Sequence, residues 1–407
     1  MTTATAALAL TEAERADQHA FYRHLHSHPE LSMQEHATAA LIEERLEALG
    51  IEHFRCGGTG VVGIVRNGNG NGPVVAYRAD TDGLPIAEDT GLDYASTATG
   101  LLPDGSEVPV MHGCGHDTHV ATAFGALTVL LRRREDWAGT LVLVFQPGEE
   151  TGAGAAAMVA DSLWDKAPRP GIVLGQHLMP LASGRVAYSS GNTMAMADSL
   201  RVTLFGRQSH GSQPQDSIDP IVMGAHLVTR LQTIVSRELG PLTPAVVTVG
   251  TFHAGLKENI IPARAELTLN IRTAGEEARS RVLEAVERIV AAEAAASGAP
   301  KPLVEPISRF PRCYNDPAEP TRVAAALGRA LGEDQVQEQP QLMGSEDVGR
   351  LADAIGVPLV YWFFGGFDPA AGPLPVNHSP HFGPELGPAL ETGTTAAAAV
   401  LLEYLGR

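Results

Sequence analysis

Residues 111–119 (MHGCGHDTH) concentrate three histidines, one cysteine and one aspartate in nine positions. Thiolate and imidazole groups are good ligands for zinc and other divalent first-row metals. Glycines on both sides of Cys114 allow a sharp turn, so the side chains of Cys114 and His116 can converge on one point. A helical pattern over 120–134 follows, and the start of a helix favours a negatively charged group. The stretch indicates a metal site, and a polar turn in which these residues cluster by chance is the alternative.

Acidic residues follow a second apolar run. Residues 141–146 (LVLVFQ) read as a strand buried on both faces of a sheet, and Glu149 and Glu150 come soon after it. Neighbouring acids repel each other and need a cation nearby, so one would bind a metal while the other works as a base. The run 172–176 ends at His177 in the same way, which makes this histidine either a further ligand or a structural residue.

Two further runs, 61–66 and 74–78, flank a turn rich in glycine and asparagine at 67–72 and predict a β-hairpin. The second run leads to Asp80 and Asp82. Carboxylates just past a strand end are typical of the active-site edge of an open α/β sheet. A turn that is simply rich in aspartate is an equally good interpretation.

The remaining pattern predicts an α/β fold in which a central mixed sheet, flanked by helices, forms a catalytic domain. Residues 12–49 read as interrupted helix, with Ser32 and Glu35 at capping-box spacing. From about residue 187 the order becomes β-α-β-β-α-β, that of a ferredoxin-like α+β domain inserted into the first. Its strands are expected at 199–207, 246–252, 264–272 and 303–307, and its helices at 219–238 and 276–296. The expected bounds are 1–187 and 309–407 for the catalytic domain and 188–308 for the insertion.

Composition narrows the class of protein. The chain has 407 residues, of which 44% are hydrophobic and 19% charged, as in ordinary globular proteins. A net charge of −18 argues against nucleic-acid or anionic-membrane partners. No apolar run has the length of a membrane span. Three widely spaced cysteines favour a reducing cytoplasm over a disulfide framework.

The motifs together resemble one family. MHGCGHDTH, FQPGEE, GQH, NHSP, RADTDGLP and HSHPELSMQEH occur in the order seen in the amidohydrolase branch of the two-metal metallopeptidases. This branch includes hippurate hydrolases, auxin-conjugate hydrolases and bacterial N-acyl-amino-acid amidohydrolases, among them aminoacylases that cleave N-acyl-glutamine. The resemblance runs from about Phe21 to the C-terminus. It implies two divalent metal ions per subunit, and a Cys/His/Glu ligand set suits zinc, manganese, cobalt or nickel.

When the family's metal ligands are matched to this sequence position by position, the resemblance implies a ligand at each of them. Cys114 would bridge the two ions, His116 and His177 would complete one site, and Glu150 and His378 would complete the other.

The resemblance also assigns residues to the substrate and the reaction. Glu149 matches the general base and Asp82 the acid that orients a ligand histidine. His210 matches a lid histidine that acts in a neighbouring subunit's site and stabilises the oxyanion, although it could instead cap the next helix of its own domain. Asn259 and Arg272 match positions that hold the substrate's carboxylate, and a surface ion pair is the alternative for Arg272. The inserted domain is thereby implied to be a lid that forms a homodimer.

Two positions depart from the family pattern, and both lie in the expected lid. Gln215 follows Pro214 where the family usually has histidine, and 269–272 read Leu-Asn-Ile-Arg where it usually has Gly-Thr-x-Arg. The departures leave the metal ligands intact but affect the part that chooses the substrate. Three phenylalanines and a methionine near predicted loop ends suit either an apolar acyl pocket or the core; they are Phe363, Phe364, Phe367 and Met343.

The resulting expectation is a cytoplasmic, metal-dependent enzyme that hydrolyses the amide bond of small N-acyl amino acids. Two alternatives stay open. One is a dipeptidase-like exopeptidase, which would need a site for a free α-amine. The other is a non-catalytic binding protein of the same fold, which is less favoured because all five ligand-type residues and Glu149 are present.

Overall fold

The computed structural model of the chain describes residues 7–69 and 72–406, and the chain folds into two compact units. The first comprises Met1–Thr193, Tyr314–Pro340 and Asp347–Arg407, and the second comprises Met194–Cys313 and Gln341–Glu346. This second unit begins and ends a few residues later than the expected 188–308 and also includes Gln341–Glu346. Strand pairing places residues 186–188 in the large sheet of the first unit, and the last strand of the insertion continues to Phe310.

The strands, in chain order, are β1 (Glu52–Cys56), β2 (Gly60–Asn67), β3 (Val74–Asp80), β4 (Thr99–Leu101), β5 (Glu107–Pro109), β6 (Gly139–Gln146), β7 (Ile172–Ala182), β8 (Val186–Tyr188), β9 (Gly191–Met194), β10 (Met196–Phe205), β11 (Ser209–His210), β12 (Ala245–Ala254), β13 (Ile260–Ile261), β14 (Arg264–Thr273), β15 (Leu303–Phe310), β16 (Cys313–Asn315), β17 (Val336–Glu338) and β18 (Leu359–Phe367). The helices are α1 (Glu12–Ser27), α2 (His36–Ala48), α3 (His116–Arg132), α4 (Gly154–Ala160), α5 (Leu163–Lys166), α6 (Pro220–Arg237), α7 (Glu276–Ala296), α8 (Pro320–Leu331), α9 (Gly349–Asp353) and α10 (Leu386–Leu405).

The first unit is built on an eight-stranded mixed sheet in the order β1-β2-β6-β3-β7-β18-β8-β17. Its four central strands, β6, β3, β7 and β18, are parallel. The predicted hairpin of β2 and β3 was wrong, because β6 lies between them and pairs with both. Residues 70 and 71 of the expected turn lie outside the described residues. Parallel central strands bring their carboxyl ends to one edge, which is where Asp82 and the residues after β6 are found.

Helices α1, α3, α8 and α10 share one apolar core with this sheet. The predicted capping box of Ser32 and Glu35 was wrong, because the Ser32 hydroxyl donates to Asp82 instead. A capping box occurs at α1, where the Thr11 hydroxyl accepts from the amide of Glu14 and the Glu14 carboxylate accepts from the amide of Thr11. None of the helices in the described residues combines the length and hydropathy needed to cross a membrane.

The second unit has a four-stranded antiparallel sheet in the order β12-β14-β10-β15, with α6 and α7 packed on it. Numbered within the unit, this order is 2-3-1-4, so the predicted ferredoxin-like insertion is confirmed. Alternate residues of β14 are buried against the helices, among them Leu267, Leu269 and Ile271. The strand periodicity of the sequence therefore produces a separate core for this unit.

Candidate metal centre and surrounding residues

Cys114 lies in a tight turn immediately before α3. The helix begins at His116, four residues earlier than the apolar pattern indicated. Gly115 has a φ of 82°, and a Cβ at this position would lie 2.7 Å from Leu178 Cδ2. Only glycine accommodates both the left-handed conformation and this close approach. The turn therefore buries the Cys114 thiol at the helix start, with the Cys114 residue 7% exposed.

Two groups of possible ligand atoms meet at this thiol. Atoms of Cys114, His116 and His177 all lie within 4.8 Å of one another, and so do atoms of Cys114, Glu150 and His378. The sulfur is 3.4 Å from His177 Nε2. The structure thus brings together all five residues expected to bind metal, and the two groups share Cys114.

The donor set fits divalent metal ions. Thiolate and imidazole suit zinc, cobalt and nickel, and a carboxylate widens the range to manganese. Nε2 of His116 is buried and makes no hydrogen bond to any described residue. Buried polar atoms almost always have a partner, so an ion is a chemically suitable occupant next to this nitrogen.

His378 reaches the group through an unusual backbone conformation. Its φ is 65°, which costs free energy in a residue other than glycine and is typical of functional sites. Its amide donates to the carbonyl of Gly113 over 2.7 Å, which ties it to the Cys114 turn. Its Nε2 lies 3.3 Å from Oε1 of Glu150.

Asp82 connects a ligand histidine to the two neighbouring glutamates. Its carboxylate accepts hydrogen bonds from Nδ1 of His116 at 3.2 Å and from the Ser32 hydroxyl at 2.6 Å. It also accepts from the amides of Glu149 at 3.1 Å and Glu150 at 3.0 Å. Burial alone would raise the pKa of Asp82, but these hydrogen bonds, the one from His116 first, hold it below its ordinary value. Asp82 is therefore an anion that fixes the orientation of His116.

Glu149 and Glu150 lie in a turn and not at the strand end itself, because β6 stops at Gln146. Residues 147–150 are called the 147–150 turn below. Oxygens of both glutamates and a nitrogen of His116 lie within 4.8 Å of one another. Glu149 is 5% exposed. Both acids are thus beside the possible metal ligands.

Asp80 and His119 adjoin His116 on the side of its other ring nitrogen, where Oδ2 of Asp80 lies 3.5 Å from Nε2 of His116. Asp80 pairs with the buried Arg78 at 2.7 Å and with Nδ1 of His119. The other ring nitrogen of His119 accepts from the amide of Leu178 at 2.8 Å. Both nitrogens of His119 therefore have hydrogen-bond partners, although an oxygen of Asp80 and nitrogens of His116 and His119 also lie within 4.8 Å of one another.

The charge states of the ligand histidines differ. Burial would lower the pKa of His116, but Asp80 and Asp82 raise it well above the ordinary value. Hydrogen bonds to Cys114 and Glu150 raise the pKa of His378 to about 10. Burial and the neighbouring His119 hold the pKa of His177 well below its ordinary range. In the metal-free protein these shifts favour the protonated ring at His116 and His378 and the neutral ring at His177.

Sequence reasoning missed two buried groups that support the site. His26 bridges Asp117 at 2.6 Å and Glu88 at 3.0 Å. Burial opposes its protonation, but these two carboxylates raise the pKa of His26 to about 9. Glu35 is fully buried and accepts from the amide of Gly148 at 2.8 Å. In the sequence, His26 stood out only as part of the motif HSHPELSMQEH, and Glu35 only as part of that motif and of the capping box that was predicted wrongly.

Arg272 lies in the second unit, on the central strand β14. Its Nε donates to Oδ1 of Asn270 at 2.9 Å and its Nη1 to the Ser345 hydroxyl at 2.7 Å. Asn270 in turn donates to the Ser199 hydroxyl on the neighbouring strand at 3.1 Å. Asn270, which stands where the family usually has threonine, thus supplies a side chain that orients Arg272.

His210 and Asn259 also lie in the second unit, and both are exposed. The carbonyl of Asn259 accepts from the amide of Gly211, next to His210, at 2.8 Å. The following helix α6 is capped by Asp219 and not by His210. His210 and Asn259 therefore lie close together on two exposed, hydrogen-bonded segments. His210 does not cap the following helix α6.

The aromatic residues considered for an acyl pocket pack in the core. Phe363, Phe364 and Phe367 are 0%, 0% and 4% exposed. Phe364 and Phe367 form a cluster with Met111, a residue of the metal-binding motif. These three phenylalanines therefore pack in the core next to the metal-binding motif, and their side chains do not line an open pocket.

Comparison with known proteins agrees with this geometry. The model of Peptidase family M20/M25/M40 matches residues 76–403. The chain is 34% identical to thermostable carboxypeptidase 2 of Saccharolobus solfataricus over 88% of each protein. It is 38% identical to N-acyl-L-amino acid amidohydrolase of Geobacillus stearothermophilus, covering 71% of this chain and 76% of that protein. A solved dinuclear metal binding peptidase of the M20 family from Bacillus subtilis superposes with a TM-score of 0.77 and 29% identity, over 97% of this chain and all of that one.

The matched segment includes every residue of the two ligand groups, and the fold and the donor set are those of a metal-dependent hydrolase. The chain therefore belongs to Peptidase family M20/M25/M40.

Proposed function

We propose that this protein hydrolyses N-acyl amino acids to a carboxylic acid and a free amino acid. The observation that carries the proposal is the sharing of Cys114 by two ligand groups, with Glu149 beside them. The similarity to an N-acyl-L-amino acid amidohydrolase supports the same activity.

The site would hold two divalent ions per subunit, of zinc, manganese, cobalt or nickel. His116 and His177 would bind one ion, Glu150 and His378 the other, and Cys114 both. When bound, the pair of ions supplies an acidified water and polarises the amide carbonyl. Nδ1–H of His116 donates to Asp82, so Nε2 of His116 would be the atom that holds an ion.

Glu149 is the proposed general base. It takes a proton from the attacking water as the new carbon–oxygen bond forms, and it gives a proton to the nitrogen as the carbon–nitrogen bond breaks. Because Glu149 is buried beside the ligand groups, bulk water does not compete strongly for this proton. The products are one carboxylate and one amine, and no other reactant is needed.

The substrate's free carboxylate would pair with Arg272, with help from Asn259. Arg272 suits this role because Asn270 and Ser345 hold its guanidinium on the open face of β14 opposite the helix-covered core. A charge-assisted hydrogen bond of this kind contributes about 1.5–3 kcal/mol.

The protein would work as a homodimer formed through the second unit, with His210 stabilising the oxyanion in the partner's site. Exposed apolar side chains on α6 and on the edge strand β12 support this arrangement; they include Ile221, Val222 and Phe252. An unpaired edge strand beside apolar surface is suited to a two-fold interface. The three cysteines are buried and form no disulfide among the described residues, which is in keeping with a reducing cytoplasm.

A dipeptidase-like exopeptidase is the second candidate, favoured by the similarity to a carboxypeptidase. A panel of N-acetyl and N-benzoyl amino acids, their C-terminal amides and free dipeptides, assayed with added manganese, zinc or cobalt, separates the candidates. The proposal predicts rapid hydrolysis of the free-acid N-acyl substrates and slow hydrolysis of the amides. Preference for dipeptides would establish the exopeptidase instead, and no hydrolysis of any substrate would indicate a binding protein.

A further inference from the structure

Glu35 belongs to the motif HSHPELSMQEH but is not one of the proposed metal ligands or proton carriers. It is fully buried between α2 and the 147–150 turn. One carboxylate oxygen accepts from the amides of Gly148 and Met33, both at 2.8 Å. The other accepts from the Thr59 hydroxyl. A buried carboxylate with three donors has a fixed position.

The 147–150 turn is held by carboxylates at three consecutive amides. Glu35 accepts from Gly148, and Asp82 accepts from Glu149 and Glu150. The two bonds to the Asp82 anion are charge-assisted, and such bonds are shorter and stronger than neutral ones. Burial and the neighbouring Asp82 raise the pKa of Glu35 to about 7, and its oxygen can accept from the amide of Gly148 in either protonation state. The backbone of the turn is therefore held at each of these residues. Gly148 directly precedes Glu149, so the direction in which the Glu149 side chain leaves the backbone depends on the bond from Glu35, whereas Glu150 is held by its own bond to Asp82.

Met33 contacts both partners of this hydrogen bond, Glu35 and Gly148. Its φ is 63°, a strained conformation for methionine, and its amide is bonded to Glu35. Gly148 has a φ of 55°, and a Cβ at that position would lie 2.5 Å from the Met33 sulfur. Strain of this kind persists where surrounding contacts determine the conformation, as they do here.

We propose that Glu35 is a positioning residue that sets the geometry of the general base Glu149 through the amide of Gly148. This inference rests on the proposed amidohydrolase function. Asp82 orients the ligand His116 and the amides at 149 and 150, whereas Glu35 fixes the preceding residue of the turn. Its loss would leave the metal ligands in place and would misplace Glu149.

The test compares Glu35→Ala, Glu35→Asp and Glu35→Gln, with Thr59→Val as a matched control. Thr59→Val removes one donor to the same carboxylate and leaves the contact with Gly148. Asp is one methylene too short to keep both amide contacts, whereas Gln keeps an acceptor oxygen at the same distance. Each variant is assayed on N-acetyl amino acids at saturating metal, with metal content, melting temperature, kcat and KM measured.

The expected result is a fall in kcat of about 10- to 100-fold for Ala and Asp, because a displacement of about 1 Å has an effect of this size. KM and metal content should stay near the parental values, and Gln and the Thr59 control should stay within about threefold in kcat. Hydrogen exchange on the metal-free proteins gives a readout independent of catalysis. The amide of Gly148 should exchange faster in the Ala and Asp variants than in the parent or the Thr59 control.

The inference is overturned if Glu35→Asp, or a folded Glu35→Ala, keeps the parental kcat, or if kcat falls only in proportion to lost metal. A lower melting temperature with unchanged kcat would likewise reduce Glu35 to a structural residue. If Glu35→Ala fails to fold, Glu35→Asp still decides the question. An inactive parent enzyme would instead refute the proposed function, so the two failures are distinguishable.

Discussion

Nδ1 of His116 donates a hydrogen bond to the carboxylate of Asp82 over 3.2 Å. The same carboxylate accepts from the amides of Glu149 and Glu150, so one buried anion holds an imidazole ligand and the turn that carries the acids. This arrangement orients the ring of His116 and makes its Nε2 available to an ion.

Asp82→Asn should weaken metal binding by about 10- to 100-fold, because an amide replaces one of the oxygens that accept from His116 and the turn. Ser32→Ala is the matched control, since it removes one hydrogen bond to the same carboxylate and leaves the other three. The measurement is metal affinity by competition with a chelator of known strength. Parental affinity in Asp82→Asn would show that His116 needs no such orientation.

Glu149→Gln and Glu150→Gln should fail in different ways. Loss of a positioned base lowers the rate by about 10²- to 10⁴-fold, so Glu149→Gln should retain metal and lose kcat. Glu150→Gln should lose metal, because a carboxylate oxygen of Glu150 is part of the group with Cys114 and His378. Elemental analysis and single-turnover kinetics on both variants check this. Retained metal in Glu150→Gln together with loss of metal in Glu149→Gln would exchange the two assignments.

Metal binding should release protons at neutral pH. Metal ions bind the neutral imidazole, whereas the raised pKa values of His116 and His378 keep both rings protonated in the metal-free protein. About one proton should leave each of these rings, and affinity should fall as the pH is lowered. Calorimetry in buffers of different ionisation enthalpy measures the number of protons released.

His378→Gln should reduce the number of protons released by about one. The nearby His381→Gln is the control, because this exposed ring bonds the carbonyl of Asp89 and belongs to neither ligand group. An unchanged count in His378→Gln would remove His378 from the ligand set.

The proposed exchange of His210 between subunits is tested with mixed dimers. His210→Ala and Glu149→Ala should each be nearly inactive. After subunit exchange, half of the dimers pair one variant with the other, and each mixed dimer has one complete site. Activity should therefore return to roughly a quarter of the parental value. Exchange confirmed by mass with no regained activity would mean that His210 does not act across the interface.

Local patterns in the sequence were informative where a buried strand led directly to a polar residue. This relation indicated the 149–150 acids and His177 as candidate ligands, and the family resemblance implied that Glu150 and His177 share a site with Cys114. The structure brings both close to Cys114. The strand and helix order of residues 196–310 was also predictable, because the alternation of buried and less buried residues along β14 is a local property of the sequence.

The parts that could not be predicted depend on long-range contacts. Periodicity does not say which strands pair, so the insertion of β6 between β2 and β3 was missed. His378 has a positive φ, and its amide is bonded to the distant Gly113. The residues next to His378 in the sequence do not predict this conformation. The sequence around Glu35 indicates only the start of a helix. Its bond to the amide of Gly148 could not be predicted, because Gly148 is more than a hundred positions away in the chain.

The central claim is that a pair of divalent ions, bridged by Cys114, is required for amide hydrolysis. Stepwise addition of manganese, zinc or cobalt to the metal-free protein, with bound metal and hydrolysis of an N-acetyl amino acid followed together, tests it most directly. The account predicts no hydrolysis without metal and a rate that saturates at two bound ions per chain. In Cys114→Ala both ions and the activity should be lost. Hydrolysis by the metal-free protein, a rate that saturates at one ion, or full occupancy in Cys114→Ala would contradict the account.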